Sequence, residues 1–385
     1  MAFSFILPFV PLYVQVLGVA DVTEAAQWAA WISAASALSM VVAQPIWGVI
    51  ADRYGRKPML LRSMVGGAIV IGLMGFAQTP LQLLGLRFLQ GAVTGVVAAA
   101  TALVSSATPK HRLGLILGLM QVAMFVGTSV GPLIGGLIAD NIGFRYTFYA
   151  AAGLLVMAGV VALLFVNERF VPPVRVASSG GMLAGSRALI GLSMFPAVVV
   201  VIYLIQAGQV VVSPVLPLYI AHLTGTANAA TVAGIVLAGT GVASAVSAIL
   251  IGRASDRLGP LRVLPVCLLG AALTYVPQAF VANVWELVVL RVALGAFLGG
   301  LMPAANALVA TVVPSERRGA AYGLIGAANA LANGTGPLLG AMIATQFGIP
   351  EVFVAAGAVY GLGAAFVGHS ARGRPRRPTA GRPAA

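Results

Sequence analysis

Charge is scarce in this chain, and acidic charge is scarcest. Only 8% of the 385 residues are charged, and Asp and Glu together number nine. Soluble domains carry roughly 25% charged residues, so an ordinary water-facing exterior cannot be assembled here. A single cysteine excludes a disulfide scaffold. There are three histidines, and nothing has metal-ligand spacing, the pattern of a phosphate-binding loop, or a nucleophile set beside a base and an acid. A soluble enzyme and a disordered chain are excluded, as is an ATP-driven pump in this chain alone. The formal charge of +13 does not point to nucleic acid either, because such a protein also needs a hydrophilic exterior.

What is abundant is apolar: 60% of residues, with 47 glycines. A spanning helix takes ~20 apolar residues. Twelve such stretches occur, at about 3–18, 27–50, 59–77, 81–103, 113–138, 145–166, 195–220, 229–251, 261–282, 284–308, 319–345 and 350–368. They are continuous runs, not short alternating segments, so an all-α integral membrane protein is expected and a β-barrel is not. The abundant small residues suit close helix packing in lipid. The longest gap, 167–194, contains Val171-Pro172-Pro173 and Ser178-Ser179-Gly180-Gly181 and divides the spans six and six. The expected organisation is a bundle over 1–166, a linker over 167–194, a second bundle over 195–368, and a disordered basic tail over 369–385.

Basic residues orient these spans. Nineteen of the 22 fall on one side: four at 53–62, two at 110–112, three in the linker, three at 253–262, two at 317–318 and five in the tail. Arg145 falls on the other side, while Arg87 and Arg291 lie inside spans. The positive-inside rule therefore makes the linker and both termini cytoplasmic. The first stretch is unusual. Pro8-Phe9-Val10-Pro11-Leu12-Tyr13 resembles Pro214-Val215-Leu216-Pro217-Leu218-Tyr219, yet only seven residues precede the first copy. A cleaved signal peptide does not fit, since there is no basic leader. Either the true start lies upstream of Met1 or the first helix is short.

The halves repeat. Asp52-Arg53-x-Gly55 recurs as Asp256-Arg257-x-Gly259, and Arg87 as Arg291, each 204 residues on. Pro109, Arg112, Gly114 and Gly118 recur as Pro314, Arg317, Gly319 and Gly323, each 205 residues on. Gly131-Pro132 and Gly135 recur at the same offset as Gly336-Pro337 and Gly340. Two duplicated bundles around an axis along the membrane normal form a carrier with a central site that rocking can open to either side.

Three motifs carry chemistry. Gly48-x-x-x-Asp52-Arg53-x-Gly55-Arg56-Lys57 lies between spans two and three. Its glycines permit a tight turn, and Asp52 can accept from arginines or face a helix N-terminus, the span beginning near Glu316-Arg317-Arg318-Gly319 being a candidate partner. The second copy, Asp256-Arg257-x-Gly259-Pro260, lacks the following basic pair. Arg87-x-x-Gln90-Gly91 places an arginine ~9 Å deep if its helix starts near Leu81. Embedded arginines are costly and functional by default, although snorkelling to the interface is the alternative. Gly127-x-x-x-Gly131-Pro132-x-x-Gly135-Gly136 on the fifth span makes a smooth groove with a proline that favours a kink.

These motifs, spread over essentially the whole chain, resemble the major facilitator superfamily, and within it the twelve-span drug:proton antiporters of the bacterial multidrug-efflux branch. That resemblance implies the major facilitator fold in the cytoplasmic (inner) membrane and export of amphipathic drugs in exchange for protons. It also implies that the Asp52 cluster with Arg53, Gly55, Arg56, Lys57, Asp256 and Arg257 latches a cytoplasmic gate. Arg87 would serve proton coupling, with Arg291 as its copy, and the fifth-span glycines would be the antiporter motif. The alternatives are an exporter of one solute, such as a sugar, siderophore or metabolite, and a non-transporting membrane sensor.

No acidic residue lies near the midplane. Asp21, Glu24, Asp140 and Glu351 sit near outer loops, and Asp52, Glu168, Asp256 and Glu316 on the cytoplasmic side. Glu286, a turn into span ten, is the best embedded proton site and Asp52 the second. Neutral, zwitterionic or anionic amphipathic substrates are therefore expected, with protons and lipid as the other partners, no cofactor beyond an ion gradient, and a monomer. Gln15, Gln44, Gln121, Gln209, Tyr219 and Asn329 are candidate cavity residues, because polar groups at membrane depth must face protein or water.

Overall fold

The computed structural model describes residues 2–107, 113–166, 168, 194–225, 228–313 and 318–372. Among them are fourteen α-helices and no strand. α1 (Val10–Val16) follows two 3₁₀ turns, Ala2–Phe5 and Leu7–Phe9. Then come α2 (Val22–Tyr54), α3 (Arg56–Met74), α4 (Pro80–Val93), α5 (Val96–Ala107), α6 (Leu113–Asn141) and α7 (Phe144–Phe165). The second half holds α8 (Phe195–Val210), α9 (Leu216–Thr224), α10 (Ala229–Leu258), α11 (Pro260–Tyr275), α12 (Val284–Val312), α13 (Arg318–Gln346) and α14 (Ile349–Arg372). α14 runs past the predicted span end at 368, into the segment expected to be tail. The linker and the tail beyond Arg372 otherwise lie outside the described residues.

Among the described residues, eight helices are long and apolar enough to cross a membrane: α2, α3, α6, α7, α10, α11 with its 3₁₀ extension, α12 and α14. The other four predicted spans differ in physical character. The first is a short helix with 3₁₀ turns at its start. The fourth is cut in two at Thr94, whose backbone is extended and whose hydroxyl donates to Gln90 O at 2.7 Å. The seventh is interrupted between Val210 and Leu216, around Pro214. The eleventh, α13, is a single helix of ample length, but Asn329, Asn333 and Thr335 make it less apolar. Backbone can leave the helix at membrane depth only where it is buried in protein or lines a cavity, so the interrupted spans mark the interior.

The sequence duplication reappears as duplicated packing. α2 packs on α4 as α10 packs on α12, and α3 on α7 as α11 on α14. Tyr13 meets Phe148 with ring centroids 4.9 Å apart, and its counterpart Tyr219 meets Phe353 at 5.1 Å. Each tyrosine hydroxyl donates to a backbone carbonyl late in span three or nine, at Ala77 (3.4 Å) and Gln278 (3.2 Å). Gly55 and Gly259, with φ of 100° and 86°, end α2 and α10 and open the next helix at once. A side chain is strained in that left-handed region, which is why both halves place glycine there. Across the halves, α2 packs on α13 and α6 on α10.

Candidate functional site

The broken spans and the seams between halves enclose a cavity in two connected chambers. One, of about 350 Å³, is lined by Leu7 and Pro8 of the first span, Ser33 and Ser36 of α2, Ser213 and Pro217 of the seventh span, and Asn333 and Pro337 of α13, among others. The other, of about 400 Å³, extends along Met40 and Gln44 of α2 to the break at Thr94-Gly95-Val96. Leu7, Ser36 and Arg87 belong to both.

Among the described residues lining either chamber, Arg87 is the one that carries a charge. It sits on the second turn of α4, whose first turn is capped by Thr79 accepting from Gln82 N. The side chain is 4% exposed and so does not snorkel to the interface. One guanidinium nitrogen, Nη1, donates to Gln90 Oε1 at 2.5 Å, while Nε and Nη2 have no hydrogen-bond partner among the described residues. Gln90 lies three residues on, the spacing at which helical side chains meet. Gly91 then lets α4 seat on α2, for a Cβ there would collide with the Ser36 carbonyl oxygen. Arg291, the copy, is placed differently. It is 5% exposed and stands over the rings of Tyr275 (5.6 Å) and Phe353 (5.7 Å), inside the second bundle's core and outside both chambers. With Leu294 where the first half has Gln90, it takes aromatic faces in place of an amide.

Glu286 is not embedded. It lies exposed in the first turn of α12, accepting from Ala282 N (2.9 Å) and Asn283 Nδ2 (2.6 Å), while its own N–H donates to Asn283 Oδ1 (3.0 Å). This is a reciprocal helix cap. The expectation of a buried proton site there is corrected: the helix begins at Val284, so this carboxylate stays at the rim.

The polar candidates separate. Gln44 lines the second chamber. Gln15 occupies the last turn of α1, one residue from its end, and is not among the described lining residues of either chamber. Tyr219 is packed in the second bundle's core through Phe353 and the Gln278 carbonyl, a correction to its reading as cavity lining. Asn329 reaches the cavity only indirectly: its carbonyl accepts from Asn333 Nδ2 (2.9 Å), and Asn333 lines the first chamber and accepts from Gln206 at 3.1 Å. Gln209 is half-buried on α8. The side chain of Gln121 lies outside the described set, as do those of Asp52 and Asp256.

In the loop motif, Gly48 and Asp52 fall in the last two turns of α2, and Asp256 and Arg257 in the last turn of α10. Arg53 and Arg257 are exposed. The described contacts of this loop reach the end of α7 and the start of the linker. Glu168 accepts from the backbone N–H groups of Arg56 (2.9 Å) and Lys57 (2.7 Å), capping α3, while Lys57 Nζ donates to Leu163 O at 2.9 Å. Segment 314–317 lies outside the described residues.

On α6, Gly127, Gly131, Pro132, Gly135 and Gly136 are all buried. Their use is specific: a Cβ at Gly135 would strike the Phe5 carbonyl, and one at Gly340, its copy, the Val211 carbonyl. These two glycines thus receive the backbones of the broken first and seventh spans. Gly136 does the same for Ala230 of α10, across the seam.

Leu7, Pro8, Ser33, Ser36, Ser213 and Pro217 were not singled out from the sequence as cavity residues. The signal was present as the duplicated Pro8/Pro11 and Pro214/Pro217, because prolines interrupting corresponding spans of two repeats point to the binding site.

A family model for the Major Facilitator Superfamily matches residues 1–205 and 198–385. The multidrug resistance protein MdtG of Serratia proteamaculans is 37% identical over 356 residues, covering 91% of this chain and 86% of the relative. MdtG of Enterobacter lignolyticus is 35% identical over 376 residues, covering 96% and 89%. Among solved structures, the nucleoside transporter NupG aligns with a TM-score of 0.74 at 15% identity, over 95% of this chain and 97% of that one. The human organic anion transporter MFSD10 aligns at 0.68 and 17%, over 95% of each. At such identities the structural likeness speaks for the fold.

Proposed function

The chain belongs to the Major Facilitator Superfamily, and we propose that it is a secondary active efflux transporter that exports amphipathic drugs or toxic small molecules in exchange for protons by alternating access. The observation that carries this reading is the cavity between the two bundles, walled by the interrupted first, fourth and seventh spans. Relatives that cover most of this chain are named multidrug resistance proteins, which supports drugs as the cargo. By the charge bias of the loops, the end bearing Arg53, Arg56 and Lys57 faces the cytoplasm of a bacterial inner membrane.

The chemistry of the cavity supports a substrate class. Its lining is apolar apart from serines, an asparagine, glutamines, a threonine and Arg87. A carboxylate that would balance a cationic drug is not among the described lining residues, and a cation would meet the field of Arg87 in low dielectric. Neutral, zwitterionic and anionic amphipaths fit, because Arg87 lines both chambers and its Nε and Nη2 have no hydrogen-bond partner among the described residues, which favours an anionic group over a cationic one. Arg87 with Gln90 is also the proposed element of proton coupling, and Asp52 the candidate carboxylate. The transporter acts as a monomer on this reading, without a bound cofactor.

Reconstitution into liposomes with an imposed pH gradient tests the proposal. Gradient-dependent efflux of several unrelated neutral or anionic amphipaths is expected. Undiminished transport after the gradient is collapsed refutes proton antiport, and transport of one compound class alone favours the dedicated exporter.

A further inference from the structure

The seam between α6 and α10 is closed at the end remote from the basic loops by an interaction that the described residues of the other seam, α13 against α2, do not repeat. α10 begins at Ala229, and its own N-cap residue, Asn228, has a left-handed backbone (φ 61°) and makes no side-chain capping bond. The missing cap comes from the other bundle. Asp140, in the last turn of α6, accepts from the backbone N–H of Thr231 at 2.6 Å. The Thr231 hydroxyl donates back across the seam to Gly136 O at 3.3 Å. Beside them the backbones nearly touch: a Cβ on Gly234 would lie 2.6 Å from Pro132 O, and one on Gly136 would strike Ala230 O.

Among the described residues, the duplicated seam, α13 against α2, lacks this arrangement. The counterpart of Asp140 is Thr345, whose hydroxyl bonds only within its own helix, to Ala341 O (2.6 Å) and Met342 O (3.0 Å). The counterpart of α10 is α2, which is capped in its own chain segment by Asp21 accepting from Glu24 N at 2.7 Å. One helix carries its cap with it, and the other leaves its cap behind whenever the bundles part.

We propose that Asp140 is a one-sided latch of the outer gate: its carboxylate, held by the first bundle, caps α10 of the second, so opening the outer end strips a charged cap from a helix. A carboxylate at a partly buried helix N-terminus biases an equilibrium by roughly tenfold. Asp140 is a positioning residue; it sets the population of the outward-open state without touching substrate. The inference rests on the alternating-access reading above.

The test is a distance measurement on the full chain in liposomes. Spin labels are placed at Ile142→Cys and Phe347→Cys, exposed outer ends of the two bundles (61% and 68%), with the buried Cys267 replaced by Ser. Asp140→Ala is expected to raise the long-distance, outer-open population about tenfold. Asp140→Asn, which keeps an acceptor and loses the charge, is expected to fall between. Asp21→Ala, which uncaps α2 within its own bundle, is expected to match the parent. Unchanged distances in both Asp140 variants overturn the latch, as does an equal shift in Asp21→Ala. If Asp140→Ala does not reach the membrane, the isosteric Asp140→Asn decides alone. An outer end that never opens in any variant, with any substrate or gradient, overturns alternating access itself.

Discussion

Arg87 Nη1 and Gln90 Oε1 are 2.5 Å apart, one helical turn before α4 breaks at Thr94, and Nε and Nη2 of the same guanidinium are buried with no hydrogen-bond partner among the described residues. The amide fixes the plane of the guanidinium without neutralising it. A carboxylate in that position would have formed an ion pair and quenched the charge. Arg87→Ala is expected to lower efflux in proteoliposomes at least about tenfold, equivalent to ~1.4 kcal/mol or more. Arg87→Lys keeps the charge but loses the fork, and is expected to recover only part. Gln90→Ala should be milder, and the double variant no worse than Arg87→Ala, since the two act as one unit.

Two glycines of α4 differ in what surrounds them, and stability should report it. A Cβ at Gly91 would collide with Ser36 O and Ser39 Oγ, whereas at Gly85 it meets nothing within 4 Å. Gly91→Ala is expected to cost ~1–3 kcal/mol by overpacking, read as a lower melting temperature in detergent. Gly85→Ala should leave the melting temperature equal or raise it, through better helix propensity.

Glu286 should prove dispensable for transport. Glu286→Gln preserves an acceptor for Ala282 N and Asn283 Nδ2 at an exposed helix start. The expected result is proton-driven efflux at the parental rate, with less than ~1 kcal/mol of lost stability. A collapse of coupling in that variant would return the glutamate to the mechanism.

Arg291 is expected to matter for folding more than for transport. Its guanidinium lies over the rings of Tyr275 and Phe353, and Tyr275 stacks on Tyr360 at 5.5 Å. Arg291→Leu removes a buried cation and fills the same space, so the protein that is made should transport near the parental rate. Arg291→Ala leaves a void and should lower yield and melting temperature, by ~2–5 kcal/mol on the scale of large-to-small core changes. The contrast with Arg87→Ala separates two residues that one repeat made look alike.

Much of the architecture is written in composition and periodicity. Sixty per cent apolar residues in continuous runs, with 8% charged, fold as helices in lipid, since the other arrangement that satisfies the backbone there, a closed barrel, needs short alternating segments. A nearly constant repeat offset dictates two like bundles, and it recurs in the Gly55/Gly259 turns, 204 residues apart, and in the Tyr13/Tyr219 pairs, 206 apart. What a run of hydropathy does not register is a break inside it. Thr94 and Pro214 interrupt spans that read as continuous, because the signal averages over some twenty residues while the break is decided by one or two.

Sequence by itself determined the helices, the duplication and the scarcity of acid. Tertiary structure decided which equivalent residues stay equivalent. Arg87 and Arg291 share a register, but one meets an amide and a cavity and the other two rings; Asp140 and Thr345 share a register, but one caps a helix across the seam. A side chain's role depends on what the opposing helix presents, and a duplicated helix meets a partner that has diverged from its own copy. Neighbours across a seam some ninety residues apart, such as Asp140 and Thr231, are set by packing, and no local pattern in the chain encodes them.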